Sequence, residues 1–363
     1  MSKTPSSRLK PVKNRPGAPL YISVKEAMLS AIRSGVFEPG QRLPSTKSLS
    51  EQLSVSLVTT HRAMQELEAH GIVDRVQGRG TFVTNRDAKD RRRTKLALVM
   101  QPEASLADFY HGQLIEGMHR AGRDEDADLL IHPYQPKLRS DCQAFLLINQ
   151  LPEAIAEFRA NHNSDTPILI VGASHEQLPS LDIDNADLIR QAVRHAHRMG
   201  HRHLGYLGGA PQLSNSRDRG RGFDDACDEL SIPPKQRHRL DAESWRLGGD
   251  EKMALSRMLT QTHRPTALIA GGYYLSLDVY HVANTLGLSI PGELTVVGVD
   301  DPPSAVHLHP PLTTVRQPLI ELGHAAVLQI IKLIHEGPST TPHQLLKAEL
   351  IIRESSGAPS LGK

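Results

Sequence analysis

The feature that most constrains this chain is an alternation of short β-rich runs with helical stretches from Lys95 onward. The predicted strands are Leu96–Met100, Leu129–His132, Ala144–Ile148, Ile168–Val171, Leu204–Leu207, Ala267–Ala270 and Leu294–Val299. The predicted helices lie between them, over residues 110–121, 152–160, 186–199, 218–230, 274–286 and 318–335. Strands that alternate with helices favour right-handed βαβ crossovers and parallel sheets. This part of the chain is therefore predicted to be α/β, as one large sheet or as two lobes.

The charge of the chain is divided unevenly between its two parts. Residues 1–95 carry 18 Lys and Arg against 8 Asp and Glu, a net of +10, whereas residues 96–363 carry 24 against 32, a net of −8. A basic head on an acidic body suggests that the head binds a polyanion and that the body has another task. The length of 363 residues also exceeds what one core usually supports, about 250–300 residues, so at least two domains are expected.

The basic head has the sequence pattern of helices followed by a β-hairpin. We expect a helix over Leu20–Ser34, a second from Pro44-Ser45-Thr46 to Leu53, and a third, capped by Ser56, through Glu68. The third helix is predicted to turn Val58, Ala63, Met64 and Leu67 inward. Two short strands then flank a glycine turn at Gln77-Gly78-Arg79-Gly80. A flexible basic arm (1–18) precedes these elements and a charged linker (85–94) follows them.

This order of elements predicts a winged helix-turn-helix. In such a domain the recognition helix enters the major groove and presents its N-terminal side chains to the bases. The glycine turn of the hairpin would bring the Arg79 guanidinium to phosphates or to a narrow groove. Double-stranded DNA is therefore the expected polyanion.

Several classes of protein are disfavoured by what the sequence lacks. No apolar run approaches the ~18 residues of a membrane span, and the N-terminus has no apolar segment typical of a secretory signal. Two isolated cysteines, Cys142 and Cys227, fit a reducing cytoplasm better than a disulfide scaffold or a thiolate zinc site. The body has no GxGxxG after a strand, no GxxxxGK[ST], no GxSxG and no HExxH. We therefore expect neither an enzyme nor a cofactor.

Four closely spaced histidines raise the question of a metal site. They are His195, His197, His201 and His203. Residues two apart on a helix point to nearly opposite faces, so a polar helix end is favoured over a zinc site, and no metal is expected.

An α/β enzyme, or a solute-binding protein with a basic N-terminal extension, remains the alternative interpretation. An ATP or NAD binding screen and cell fractionation would distinguish these alternatives.

The head resembles the GntR family of DNA-binding domains. The resemblance is carried by Pro19-Leu20-Tyr21, Ile32-Arg33-Ser34-Gly35, Pro39-Gly40-Gln41-Arg42-Leu43-Pro44-Ser45, Gly71-Ile72-Val73 and Gly78-Arg79-Gly80-Thr81-Phe82-Val83. It implies DNA contacts at the start of the second helix, on the recognition helix and at the wing tip. The residues at these places are Ser45, Thr46, Lys47, Thr59, His61, Arg62, Gly78 and Arg79. The family usually has arginine where this chain has Lys47, Leu57 and His61, so the family's typical operator is not assumed.

The body resembles the LacI/GalR effector-binding domain, which shares the fold of periplasmic sugar-binding proteins. The resemblance is carried by Asp182-Ile183-Asp184-Asn185, Met199–Gly209, Arg219-Gly220-Arg221-Gly222-Phe223, Pro265–Ile269, Gly287–Asp301, Pro310–Pro318 and Leu350–Ser356. It implies two lobes with a ligand in the cleft between them. Arg219 and Asp300 match family pocket positions, and Trp245 falls where some members place an aromatic ring against a sugar.

The roles of the aromatic residues in the body remain open between effector binding and core packing. Tyr110 and His111 match an aromatic pair in the first βα loop of the family. For Tyr110 and for Trp245, packing in the core is an equal alternative to a place in the pocket. Gly272-Tyr273 stands where the family usually has Asn-Asp. Tyr273 would add an aromatic wall and a hydroxyl to the cleft. The effector would then be an unusual sugar or another metabolite, or the cleft would bind no ligand.

The two resemblances together imply the architecture of arabinose-repressor-type regulators. The expected domains are the winged helix over 19–84, the effector-binding and dimerisation domain over 95–356, and a tail over 357–363. The implied protein is a cytoplasmic, homodimeric transcriptional repressor that binds operator DNA and a sugar-like effector. No membrane partner is expected.

Overall fold

The chain forms two compact units, Met1–Arg93 and Thr94–Lys363. The computed structural model describes residues 9, 11–12, 19–69, 72–76, 79–84, 93–337 and 343–360. Most of the predicted arm and linker, together with Gly78, lies outside these described residues.

Within its described residues, the first unit contains three α-helices and a hairpin. These are α1 (Leu20–Arg33), α2 (Thr46–Leu53), α3 (Leu57–Ala69), β1 (Val73–Val76) and β2 (Gly80–Val83). Each of the two later helices begins at a serine whose hydroxyl accepts a backbone N–H three residues on: Ser45 from Ser48 at 3.2 Å and Ser56 from Thr59 at 3.1 Å. The two strands pair antiparallel. The winged helix-turn-helix predicted from the sequence is confirmed.

The core of the first unit corrects one prediction. Buried side chains of all three helices and of both strands meet there, among them Val24, Leu49 and Leu67. Val58, which was predicted to face inward, is instead 79% exposed. It occupies the second position of α3, one residue after Leu57, and the inward stripe of this helix begins only at Thr60 and Ala63.

The second unit contains two six-stranded sheets. The strands in chain order are β3 (Thr94–Met100), β4 (Ala127–Pro133), β5 (Ala144–Ile148), β6 (Ile168–Val171), β7 (Ser180–Ile183), β8 (Leu204–Gly208), β9 (Arg237–Asp241), β10 (Ala267–Ala270), β11 (Thr295–Val299), β12 (Thr313–Arg316), β13 (Gln344–Leu346) and β14 (Glu349–Ile351). One sheet has the order β13-β7-β6-β5-β3-β4 and the other β14-β12-β11-β10-β8-β9. All neighbours in these sheets are parallel except β12 and β14.

In the part of the second unit that the structure describes, seven α-helices accompany the two sheets. They are α4 (Phe109–Asp124), α5 (Pro152–Ala160), α6 (Asn185–Arg198), α7 (Ser214–Glu229), α8 (Gly249–Thr260), α9 (Tyr273–Thr285) and α10 (Leu319–Glu336). The prediction of two α/β lobes is confirmed. The sequence pattern did not reveal α8 or the strands β7, β9, β12, β13 and β14.

The chain crosses between the two lobes at three places. Helix α6 follows β7 of the first sheet but packs on β10, β11, β12 and β14 of the second. Helix α10 follows β12 of the second sheet but packs on α4 and on the first sheet. The last crossing joins β13 to β14. The crossings are therefore Asp184, Gln317-Pro318 and Lys347-Ala348.

Two glycines hold α10 against α4. A Cβ atom at Gly117 would collide with the Ile320 carbonyl, and one at Gly323 would collide with the Leu114 carbonyl. The two helices therefore touch through backbone atoms at both places. This contact anchors α10 in the first lobe directly after the Gln317-Pro318 crossing.

Candidate functional site

A buried arginine lies at the centre of the polar groups where the lobes meet. Arg219, on α7, is 4% exposed. Its Nε donates to Asn185 Oδ1 at 2.8 Å, its Nη1 to the Gly271 carbonyl at 2.6 Å and its Nη2 to Gln317 Oε1 at 3.4 Å. One guanidinium thus joins the first residue of α6, the loop after β10 and the crossing after β12.

Asp300 lies at the carboxyl end of β11, beside this arginine. Its φ of 72° is in the left-handed region, where a non-glycine residue is uncommon. Gln317 Nε2 donates to Asp300 Oδ1 at 2.5 Å, and the Tyr273 backbone also donates to the carboxylate. Burial raises the pKa of Asp300, while Arg219 and these two hydrogen bonds act to lower it. The carboxylate is held in place by groups from three elements.

Asp182 is a second buried carboxylate, at the end of β7. It accepts the Ile183 backbone N–H at 2.7 Å and Asn185 Nδ2 at 3.0 Å. Burial raises the pKa of Asp182 to about 7, although the Ile183 hydrogen bond and the nearby Arg219 act in the opposite direction. Since Asn185 also accepts from Arg219, the two carboxylates and the arginine belong to one hydrogen-bonded group.

The first lobe places a tyrosine opposite these charges. Tyr110 donates to Asn149 Oδ1 at 3.4 Å, and Asn149 has a left-handed φ of 49° directly after β5. Burial and the Asp182 carboxylate raise the pKa of Tyr110, whereas Arg219 acts to lower it. The charge of Asp182, on the first lobe, and that of Arg219, on the second, therefore both act on this hydroxyl. Gly172 leaves room here, because a Cβ atom there would lie 2.5 Å from Tyr110 Oη.

His111 takes part in a separate pair at the start of α4. Its Nδ1 lies 2.6 Å from Asp108 Oδ2, and its backbone N–H donates to the same carboxylate at 2.9 Å. The rings of Tyr110 and His111 meet edge to face, with centroids 5.3 Å apart. The Asp108 charge also acts to raise the pKa of Asp300. A role of Tyr110 and His111 in effector binding remains a prediction.

Trp245 forms an aromatic side of the arginine site. The Arg219 guanidinium lies over its ring, 5.2 Å from the centroid. Glycines make room for the indole, because a Cβ atom at Gly209 or Gly272 would lie 2.6 Å or 3.1 Å from it. The ring is partly buried and also packs on the core of the second lobe. The indole therefore packs on the core beside Arg219, and its role in effector binding remains a prediction.

Tyr273 points into the second lobe. It is 9% exposed, and its hydroxyl donates to Ser304 Oγ at 2.7 Å. The backbone N–H of this residue, rather than its hydroxyl, reaches Asp300. Its predicted contact with an effector is not tested by this geometry and remains a prediction.

Four members of the site were not among the candidate residues from the sequence. They are Asn149, Asp182, Asn185 and Gln317. Three of them follow a strand or end one, and ligands of open α/β sheets bind at the carboxyl ends of strands. That rule would have indicated Asn149, which directly follows the continuous apolar run of β5. Asp182, Asn185 and Gln317 depended on β7 and β12, which were not predicted.

Some of the predicted DNA-contacting residues are exposed, whereas others are engaged in hydrogen bonds within the helix-turn-helix unit. Lys47, His61 and Arg79 are exposed. The Ser45 hydroxyl caps α2, and the Thr59 hydroxyl lies 2.7 Å from Ser56 Oγ.

Arg62 and Thr46 complete the set that the structure describes. The Arg62 guanidinium lies 4.3 Å from the centroid of the Tyr21 ring, so it braces α3 against α1. Thr46 is partly buried at the start of α2. Gly78 lies outside the described residues. None of these contacts tests DNA binding directly.

Two of the four closely spaced histidines are hydrogen-bonded within the protein. His195 Nε2 lies 3.0 Å from Ser356 Oγ, and His201 lies 2.9 Å from Thr266 Oγ1 and 2.8 Å from the Gly357 carbonyl. In the part of the chain that the structure describes, no group of three His, Cys, Asp or Glu side chains could hold a metal ion. Within the same residues, no helix is both long and apolar enough to cross a membrane.

A helix-turn-helix unit with a β-hairpin, followed by two α/β lobes that share a polar site, defines a DNA-binding regulator with a ligand-binding body. Residues 20–83 match the gntR family of bacterial regulatory proteins, and residues 193–356 match the periplasmic binding protein-like domain. The chain is a transcriptional regulator that joins these two domains. The resemblances to GntR and LacI/GalR proteins are confirmed, and the alternative of an enzyme is not supported.

Three similar proteins illustrate this assignment. The arabinose metabolism transcriptional repressor of Geobacillus stearothermophilus is 25% identical over 93% of this chain and 98% of its own. The HTH-type transcriptional repressor PurR of Yersinia pestis is 32% identical over 41% of this chain and 44% of its own. The lac repressor dimer, solved with its operator and the anti-inducer ONPF, has a TM-score of 0.65 at 21% identity, over 76% of this chain and all of that one. This last likeness concerns the fold.

Proposed function

We propose that this regulator is a repressor whose operator affinity is controlled by an uncharged, hydroxyl-rich metabolite, such as a sugar, bound between the lobes. The observation that carries the proposal is the Arg219 hydrogen-bond group, because it contains residues at two of the three crossings. Asn185 follows the first crossing and Gln317 lies in the second. A ligand that reorganises these hydrogen bonds acts directly on the segments that connect the lobes.

The chemistry of the site supports a polyhydroxylated ligand. Carboxylates at Asp182 and Asp300 accept hydrogen bonds, the Arg219 guanidinium donates them, and side-chain amides do both. Trp245 offers an aromatic face beside them. Two acidic side chains beside one guanidinium leave no surplus positive charge for an anionic ligand. The name of the similar Geobacillus repressor, which refers to arabinose metabolism, agrees with a sugar.

Fluorescence of Trp245 provides a test of the effector, because it is the only tryptophan in the chain. We expect a neutral sugar or related polyol to change its emission in a saturable manner and to release the protein from operator DNA at the same concentration. The operator itself can be obtained by selecting duplexes from a random library with the full-length protein. Saturable binding of phosphorylated or carboxylated metabolites alone would contradict the proposed ligand class.

A homodimer fits the proposed function, because two heads on a two-fold axis match a palindromic operator. An apolar surface suited to a second copy lies on the first lobe, between α4 and the edge strand β4. Leu106, Ile115, Leu129 and Ile131 contribute to it, and Leu106 and Ile131 are largely exposed. Such a regulator would act in the cytoplasm, where the operator is.

Sedimentation velocity tests the dimer. We expect the wild-type protein to sediment as a dimer and Ile131→Glu to shift the equilibrium to monomers, since a carboxylate would be buried without a partner. The Met253→Glu variant is the matched control, because Met253 is an exposed apolar residue on α8 of the other lobe. A dimer that tolerates Ile131→Glu would show that the copies associate through another surface.

A further inference from the structure

The recognition helix begins with two exposed apolar side chains. Leu57 and Val58, the first two residues of α3, are 53% and 79% exposed. Val58 is the most exposed large hydrophobic residue in the part of the chain that the structure describes. Single exposed apolar residues are common on protein surfaces. Here, however, two adjacent ones lie on the element of a helix-turn-helix that enters the major groove.

The polar residues of the same two turns are largely engaged within the protein. The Thr59 hydroxyl lies 2.7 Å from Ser56 Oγ, and the Thr60 hydroxyl is buried and donates to the Ser56 carbonyl. Arg62 stacks on Tyr21. Of the first six residues of α3, the exposed ones besides Arg62 are thus Leu57, Val58 and His61. The surface that this helix offers to bases is mainly apolar at its start.

One group in the major groove matches such a surface. Each base pair presents hydrogen-bond donors and acceptors there, whereas the C5-methyl of thymine is the apolar group. The basic charge of the head, a net of +10 over residues 1–95, would hold the helix against the phosphates without specifying sequence. We infer that Leu57 and Val58 recognise thymine methyl groups in each half of the operator. This inference rests on the proposed function, because it needs a specific operator.

The test uses the duplex selected by the full-length protein. Each thymine of a half-site is replaced in turn by deoxyuridine, which removes only the methyl group, and binding is measured by fluorescence anisotropy. Burial of one methyl-sized group stabilises a complex enough to change affinity about fourfold. We therefore expect one or two thymines per half-site at which deoxyuridine weakens wild-type binding by about fourfold for each half-site changed.

The variants Leu57→Ala and Val58→Ala assign the effect to the side chains. Each should weaken binding to the thymine duplex several-fold and no longer distinguish it from the deoxyuridine duplex at its own position. Val58→Thr, which keeps one methyl and the branched shape, should lose less. Val36→Ala is the matched control, since Val36 is 36% exposed and lies in the turn after α1. It should keep full discrimination.

Binding to unrelated duplex DNA at low salt checks that each variant is folded, because that affinity depends on phosphate contacts. The inference is overturned if deoxyuridine is neutral at every position, or if the alanine variants discriminate as well as the wild type. In both cases specific binding persists and the proposed function stands. If selection yields no preferred duplex, the proposed function fails and the inference fails with it.

Discussion

Replacement of Asp182 by asparagine should change the pH dependence of stability. The pKa of this buried carboxyl rises from 3.8 to about 7, so the native state binds its proton more tightly than the unfolded state does. Its contribution to stability is therefore fully present below pH 3.8 and is lost as the pH rises to about 7. At about 1.4 kcal/mol per pKa unit, the ionised group costs the native state about 4 kcal/mol at pH 8.

The asparagine variant removes this cost but loses a contact. Its carbonyl oxygen can still accept the Ile183 N–H, whereas its amide group would face Asn185 Nδ2, so that the hydrogen bond between residues 182 and 185 is lost. That loss costs about 1–1.5 kcal/mol. We expect Asp182→Asn to be more stable than the wild type by about 2–3 kcal/mol at pH 8. Near pH 5, where much of the wild-type cost has gone, the difference should fall to about 0–1 kcal/mol.

Urea unfolding followed by Trp245 fluorescence measures these values, because the only tryptophan lies in the second unit. Asp124→Asn is the control, since Asp124 is exposed at the end of α4, and its pH profile should run parallel to that of the wild type. Parallel profiles for Asp182→Asn as well would refute the argument. They would mean that the pKa of Asp182 is not raised in the folded protein.

Three further substitutions test the effector site, the wing and the fold of the head. Asp300→Asn keeps the shape of the side chain and removes its charge, so effector affinity measured by calorimetry should fall about ten- to a hundredfold. Operator binding without effector should not change, and an unaltered effector affinity would remove Asp300 from the site. Arg79→Ala should weaken DNA binding and, if the side chain neutralises one phosphate in each head, reduce the slope of log K against log salt by about 0.9 per contact; an unchanged affinity and slope would exclude the wing. Ser45→Ala removes the cap of α2 and should destabilise the head by about 1 kcal/mol, measured by thermal unfolding followed by circular dichroism, and an unchanged transition would contradict the role of the cap.

Most of the strands that the sequence revealed are short apolar runs. In β5, β6 and β10 every residue is buried, and strands of this kind are continuous apolar runs. In contrast, β9 reads Arg-His-Arg-Leu-Asp at the edge of its sheet. Its charged side chains remain in solvent, so periodicity alone does not distinguish it from a loop. The short β13 and β14 depend on their neighbours in the sheets for their extended conformation.

The residues of the candidate site were also predicted only in part. Arg219 and Asp300 were predicted through the resemblance to LacI/GalR proteins, and the structure brings them together. Asp182 could not be predicted as part of the site, because it lies in β7, a strand that the sequence did not reveal. The prediction also misplaced Val58. The helical spacing of the buried residues Thr60, Ala63, Met64 and Leu67 leaves position 58 outside the inward stripe.

The glycine contacts between α4 and α10 have a mechanical consequence. Because Gly117 and Gly323 bring two backbones into direct contact, α10 cannot slide or tilt on the first lobe without a collision. Movement at the second crossing is therefore restricted to the few backbone torsion angles between Arg316 and Leu319, and the ring of Pro318 fixes one of these. At this crossing, a rotation of one lobe against the other must be accommodated by a very short segment of backbone. Alanine at either glycine should displace α10 and so alter this crossing, although both positions lie in a helix-helix contact of the first lobe.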